Sequence, residues 1–277
     1  MHAGFMSSAA PNWDLPTLLR EVRACGFDAL EPRVEWGHGH GLERGSPEAW
    51  RQAKQQFADT GVVPSSVALG SRFNRATAEE RAATVDEVAA YAELAALLGA
   101  PVLRVFGGPM PQGMTMAEAR PRVAEGLAKA AERCAPFGVI PCLETHDDFW
   151  NPEDVAWCLE HAGHANLGAV WHAAHHVRRG ISVDDAYQML GRWVRHVHMQ
   201  EVPKDVNAFK WDQFPVPLGE GDGSVKRQAT LLAQRGYDGA LSLEWIPKKD
   251  AGIDPLPVLR QYGEVTQQWL RELGQGK

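Results

Sequence analysis

The feature that most restricts how this chain can fold is an eightfold alternation of short apolar runs with helical runs. Residues 2–6, 27–30, 62–69, 101–106, 139–143, 166–171, 193–199 and 239–245 have strand character. Between them, helices open on capping residues. Ser46-Pro47 and Asn151-Pro152 place proline at the first helical position, and Thr77–Glu80 and Thr115–Glu118 have capping-box spacing. Gly26, Gly61, Gly99, Gly163 and Gly236 supply the stops. Strands separated by helices pair in parallel and need helices over the sheet. Eight such units in 277 residues suit a (β/α)8 TIM barrel, for which about 250 residues is typical. No GxGxxG follows the first strand, which counts against a dinucleotide-binding sheet. The expected fold is a single α/β domain over residues 1–277, closed as a TIM barrel.

Composition narrows the function. A formal charge of −7 gives no basic footprint for a nucleic-acid backbone. Four cysteines form no CxxC pair, and three of them sit in helical or strand patterns where a buried, reduced thiol is the ordinary reading. No signal-peptide pattern opens the chain, and no apolar run is long enough for a bilayer, so a cytoplasmic location without membrane contact is expected.

In such a barrel, chemistry collects at the carboxyl ends of the strands. Side chains alternate faces along a strand, so Ile140, Cys142, Glu144 and His146 share one side. The next three strands place His172, then His196 and His198, then Ser242 and Glu244 in the same way. Glu144, His172, His198 and Glu244 therefore arrive at one height, a donor set for a divalent metal. Any one of these histidines alone is better explained by hydrogen bonds to its rim neighbours. Together, two buried carboxylates would repel unless a cation joined them.

The spans 143–146 (LETH), 170–176 (VWHAAHH), 196–201 (HVHMQE) and 242–245 (SLEW), with the turn Gly219-Glu220-Gly221-Asp222 and Gly26-Phe27-Asp28, carry a resemblance. The chain is similar, over nearly its whole length, to the sugar phosphate isomerase/epimerase family. That group of xylose-isomerase-like barrels includes ketose 3-epimerases and dehydroshikimate dehydratases. The resemblance implies one divalent ion held by Glu, Asp, His and Glu, with Mn first and Co, Fe, Zn or Mg as other candidates. Glu144, His198 and Glu244 match that pattern, and His172 stands where the family has Asp. An imidazole there leaves the ion less neutralised, a stronger Lewis acid, and favours Mn, Fe, Co or Zn over Mg. If His172 does not ligate, the metal is weak or absent. His175 matches a histidine that contacts substrate oxygen, and Lys204 falls where epimerases often carry a substrate-binding arginine.

A metal held by two carboxylates suits proton removal beside a carbonyl. The implied activity is isomerisation or epimerisation of a ketose or keto-sugar, with Glu144 and Glu244 as base and acid. His146 is either an alternative proton carrier or a loop histidine satisfied by Asp147 or Asp148. Trp36, Phe106, Trp150, Trp211 and Trp245 are candidate planes for a sugar face, although Trp245 points opposite to Glu244. Arg33, Arg104, His38 and His40 are candidate hydroxyl contacts. A lyase or dehydratase acting on a keto-sugar or 3-keto-glycoside begins with the same proton abstraction. A non-catalytic sugar-binding barrel is the third reading. The partner in every case is a small sugar, and the assembly state, a homo-oligomer among the options, is not written in the sequence.

Overall fold

Local signals set most of the helix boundaries. A computed structural model describes residues 1–43, 45–205, 207, 215–248 and 252–274. Asp14 caps helix α1 (Leu15–Ala24) by accepting from the Thr17 amide at 2.9 Å, and Ser46 caps α2 (Pro47–Thr60) through Ala49 at 3.1 Å. The Thr77–Glu80 pair forms a reciprocal capping box on α3 (Ala78–Leu98). On α4 (Met116–Cys134) the Glu118 carboxylate accepts from both the amide and the hydroxyl of Thr115. Gly61, Gly99 and Gly163 end α2, α3 and α5 (Pro152–Ala162) in the left-handed conformation that favours glycine.

The strands are β1 (His2–Met6), β2 (Ala29–Glu31), β3 (Val63–Pro64), β4 (Val67–Arg72), β5 (Val102–Phe106), β6 (Ile140–Glu144), β7 (Gly168–His172), β8 (Val194–Met199) and β9 (Ala240–Leu243). They form one parallel sheet in the order β3-β2-β1-β9-β8-β7-β6-β5-β4. The order closes where the segment just past β2 meets β4, through a parallel bridge between Arg33 and Ala68. The Val34 amide donates to the Ala68 carbonyl at 3.0 Å, and the Ala68 amide to the Pro32 carbonyl at 2.9 Å. The barrel thus has eight staves. The third, expected as one strand over residues 62–69, is broken into β3 and β4 at Ser65 and Ser66. Pro64 has no amide to extend the ladder, so the stave pairs first with β2 and then turns to β5. The second strand runs one residue further than expected and includes Glu31.

Helices pack outside the barrel on Leu18, Leu19, Val88, Leu94, Leu127, Leu159 and Leu259, all buried. Trp171 and Trp245, on the outward faces of their strands, are buried in this layer. All four cysteines are buried and free, as expected of reduced thiols. Inside the barrel, Val102, Cys142 and Val170 pack together with Ile140 as an apolar floor. The polar strand ends stand above that floor. Among the described residues no helix is long and apolar enough to cross a membrane.

Candidate active site at the barrel mouth

Strand alternation turns Glu144, His172, His198 and Glu244 inward, and the register sets His172 against His198 across β7 and β8. The side chains converge. His172 Nδ1 lies 3.2 Å from Glu144 Oε1 and 2.9 Å from Glu244 Oε2. His198 Nδ1 lies 2.8 Å from the same Glu144 oxygen and 3.4 Å from the same Glu244 oxygen. Glu144, His172 and His198 have no exposed surface, and Glu244 is 3% exposed. His175, on α6 (Ala173–Val177), brings a ring nitrogen into the group, within 4.8 Å of donor atoms of Glu144, His172 and Glu244.

Two further charged groups support this cluster. Arg104, fully buried on β5, places Nη1 3.6 Å from Glu144 Oε2 and lays its guanidinium 4.0 Å from the centre of the Phe106 ring. Glu31 reaches His196 and His198 from the opposite wall. The sequence reading passed over Glu31, although its signal was legible: residues 27–30 are a strand that runs straight into a carboxylate, as at Glu144.

Burial alone would raise the carboxyl pKa values of Glu144 and Glu244, but the charge of His198 and the bonds from His172 and His198 hold both well below the carboxylate range. The histidines mirror this. Burial would lower His198, yet Glu144, Glu31 and Glu244 raise it well above the ordinary value, and His172 is raised by Glu144 and Glu244. His175 goes the other way. Burial, with His172 and His146 beside it, keeps that ring neutral.

A cavity of about 380 Å³ opens over the cluster, and His146, His175, Gln200, Glu244 and Arg179 line it. His146 packs 4.5 Å from the Phe106 ring and 4.4 Å from the His175 ring, centre to centre. Its Nδ1 is 2.8 Å from Asp147 Oδ1, so it is both a cavity wall and a partner of that acid. The other expected substrate contacts are placed differently. Arg104 has no surface to offer a hydroxyl, because its charge is committed to Glu144. His38 is buried with its ring bonded to the Glu35 carbonyl, and His40 is bonded to the Arg33 carbonyl. Trp36 is 63% exposed, with the Arg33 guanidinium 3.9 Å from its ring centre. Lys204 is exposed, and it does not line the cavity. Phe106 is buried, and Trp150 carries the Arg179 guanidinium at 4.7 Å. Trp211 lies outside the described residues.

The donor set fits a divalent cation. Ligands at about 2.0–2.1 Å in a tetrahedron stand roughly 3.3 Å apart. The four neighbouring contacts between the two carboxylate oxygens and the two Nδ1 atoms span 2.8–3.4 Å. Those four of the six spacings in the set are of the size a tetrahedral ion requires, and a ring nitrogen of His175 also lies within 4.8 Å of Glu144, His172 and Glu244 donors.

The whole arrangement has relatives. Residues 19–273 match the family model described as Xylose isomerase-like TIM barrel. Among solved structures, the chain resembles the IolI protein with a zinc atom, at TM-score 0.84 and 16% identity, over 99% of each chain. It resembles L-ribulose 3-epimerase at TM-score 0.80 and 18% identity, over 99% of this chain and 95% of that one. It also resembles the probable 3-DHS dehydratase AsbF from Bacillus anthracis, at TM-score 0.78 and 18% identity, over 96% of this chain and 98% of that one. No curated protein matches it in sequence. Stave count, closure and the matched span together place this chain in the xylose isomerase-like TIM barrel family.

Proposed function

We propose that this protein is a divalent-metal-dependent isomerase or epimerase that moves a proton next to the carbonyl of a ketose or keto-sugar. One observation carries the reading. Glu244 shares the Nδ1 atoms of His172 and His198 with Glu144, and it also forms a wall of the cavity. A carboxylate in that position serves a cation and a substrate together.

Glu144, His172, His198 and Glu244 are the residues that would hold the ion. When bound, it supplies positive charge where a carbonyl oxygen gains electrons. The chain's own groups do the rest. A base in the cavity takes the proton from the carbon beside the carbonyl, and the C–H electron pair moves into the C–C bond while the carbonyl pair moves onto oxygen. Return of a proton to the opposite face of that carbon gives the epimer; return to the former carbonyl carbon gives the isomer, provided that carbon's neighbour bears a hydroxyl whose proton passes to the former carbonyl oxygen as the new C=O forms.

Of the two acids that the sequence offers for these steps, Glu244 has access to the cavity. Glu144 is sealed between Arg104 and two imidazoles. We assign Glu244 to one proton transfer and His146, held by Asp147, to the other, with Glu144 chiefly a ligand. Neutral His175 and Gln200 are placed to bond substrate hydroxyls. The reading is consistent with neighbours of this fold that include L-ribulose 3-epimerase and D-psicose 3-epimerase in the presence of D-fructose.

The test is solvent deuterium exchange. Metal-loaded protein is incubated in deuterated water with free ketoses and, separately, with keto-glycosides. Exchange at the carbon beside the carbonyl without elimination supports the isomerase. Elimination of a leaving group would favour the dehydratase or lyase chemistry that the probable 3-DHS dehydratase neighbour suggests. Absence of metal binding together with absence of exchange would leave a sugar-binding barrel.

A further inference from the structure

Glu31, His196 and His198 form a second buried cluster, with donor atoms within 4.8 Å of one another. Spacing alone would let it hold a cation of its own. The hydrogen bonds decide otherwise. Glu31 Oε2 accepts from the Ser242 hydroxyl at 2.8 Å and stands 2.8 Å from His196 Nε2. Both carboxylate oxygens lie 3.1–3.2 Å from His198 Nε2. A carboxylate only accepts, so each of these partners brings a hydrogen to it. All four residues are 0–1% exposed, and no water-filled route is needed to satisfy Glu31.

His198 belongs to both clusters. Its Nδ1 faces Glu144 and Glu244, and its Nε2 faces Glu31. An imidazole that gives the lone pair of one nitrogen to a cation carries its proton on the other. That proton needs an acceptor when it is buried, and the acceptor fixes both tautomer and ring plane. Glu31 is the carboxylate in that position. Resting on the metal-site reading above, we propose that Glu31 is a positioning residue: it accepts a hydrogen bond from the Nε2–H of His198, so that Nδ1 is the nitrogen left for the cation, and it is itself clamped by His196 and Ser242.

The test uses Co²⁺ as the probe on the full chain. Wild-type protein is expected to bind one ion. Glu31→Gln, nearly the same shape, is expected to bind one ion with a dissociation constant weaker by about 10–100-fold, the usual cost of losing such a partner. Equal affinity in the two proteins would overturn the proposal while leaving the metal site standing. Two ions per wild-type chain, reduced to one by the substitution, would also overturn it, because the lower cluster would then be a cation site. No binding by the wild type would overturn the metal-site reading itself. A second measurement needs no variant. With Zn²⁺ bound to histidine-labelled wild-type protein, the ¹⁵N spectrum is expected to show His198 Nε2 carrying a proton. A protonless Nε2 would overturn the assignment.

Discussion

At the mouth of the barrel, the segments after β6 through β9 and the segment after β2 all carry ionisable side chains, yet they end in different states. Among the described residues, those lining the cavity come from the first group: His146, Asp147, His175, Arg179, Gln200, Glu244 and Ile246. The segment after β2 carries Arg33, Glu35, Trp36, His38 and His40; Arg33 and both histidines are buried, and Trp36 is exposed. Arg33 pairs with Glu35 and stacks on Trp36, and both histidines are bonded to the backbone of their own loop. Gly70 makes room for the Glu35 carboxylate, which lies where a side-chain carbon would be. Polar side chains that find partners within their own loop close it. On the other half the ionisable groups pair across strands, deep in the barrel, beneath the cavity.

That contrast can be broken experimentally. The largest effect is expected at Glu244. Glu244→Gln should slow proton exchange into a ketose by about 10²–10⁴-fold, whereas His38→Asn on the closed side should leave the exchange rate nearly unchanged. Equal losses would erase the distinction between the halves.

The closed half should show itself in acid. Burial and the neighbouring His38 lower the His40 pKa to about 4, while its bond to the Arg33 carbonyl raises it by less. The unfolded chain binds this proton near pH 6.5 and the folded chain only near 4. Stability from this group is therefore complete above about pH 6.5 and drains away as pH falls towards 4, by on the order of 3 kcal/mol. Urea unfolding from pH 7 to pH 4 measures it, and His40→Asn should flatten that part of the curve. The open half should respond to cation instead. Added Mn²⁺ or Zn²⁺ at a hundred times its dissociation constant should stabilise the fold by about 2.7 kcal/mol, seen as a rise in melting temperature that EDTA reverses. The smallest effect is expected from Gly70→Ala, which would push the Glu35 carboxylate from Arg33 and cost about 1 kcal/mol, near the worth of one hydrogen bond. Urea unfolding would show it, with metal affinity unchanged.

Much of this was legible in the residues, for identifiable reasons. Glu144 and Glu244 each end an apolar strand, so alternation alone aimed them inward. The Thr77–Glu80 box and the glycine stops are local geometry and survive into the folded chain. The break at Ser65 had a local sign in Pro64, but where the run VVPSSVAL passes from pairing with β2 to pairing with β5 was set by the neighbouring staves. Arg104 was legible as inward-facing but not as Glu144's partner, because alternation says nothing about the distance across a barrel. Glu31 was legible as a strand-end carboxylate, but its partners were not: His196, His198 and Ser242 lie more than 160 positions away.

By itself, then, the order of residues determined the eight-unit alternation, the helix ends and the identity of the groups carried to the strand ends. Those depend on side-chain period and capping, which act over a few residues. Closure of the barrel decided what those groups meet: which oxygen faces which ring nitrogen, which acid is sealed and which reaches the cavity, and which loop folds shut. Such choices depend on contacts between distant staves, and only the assembled barrel brings those atoms within reach of one another.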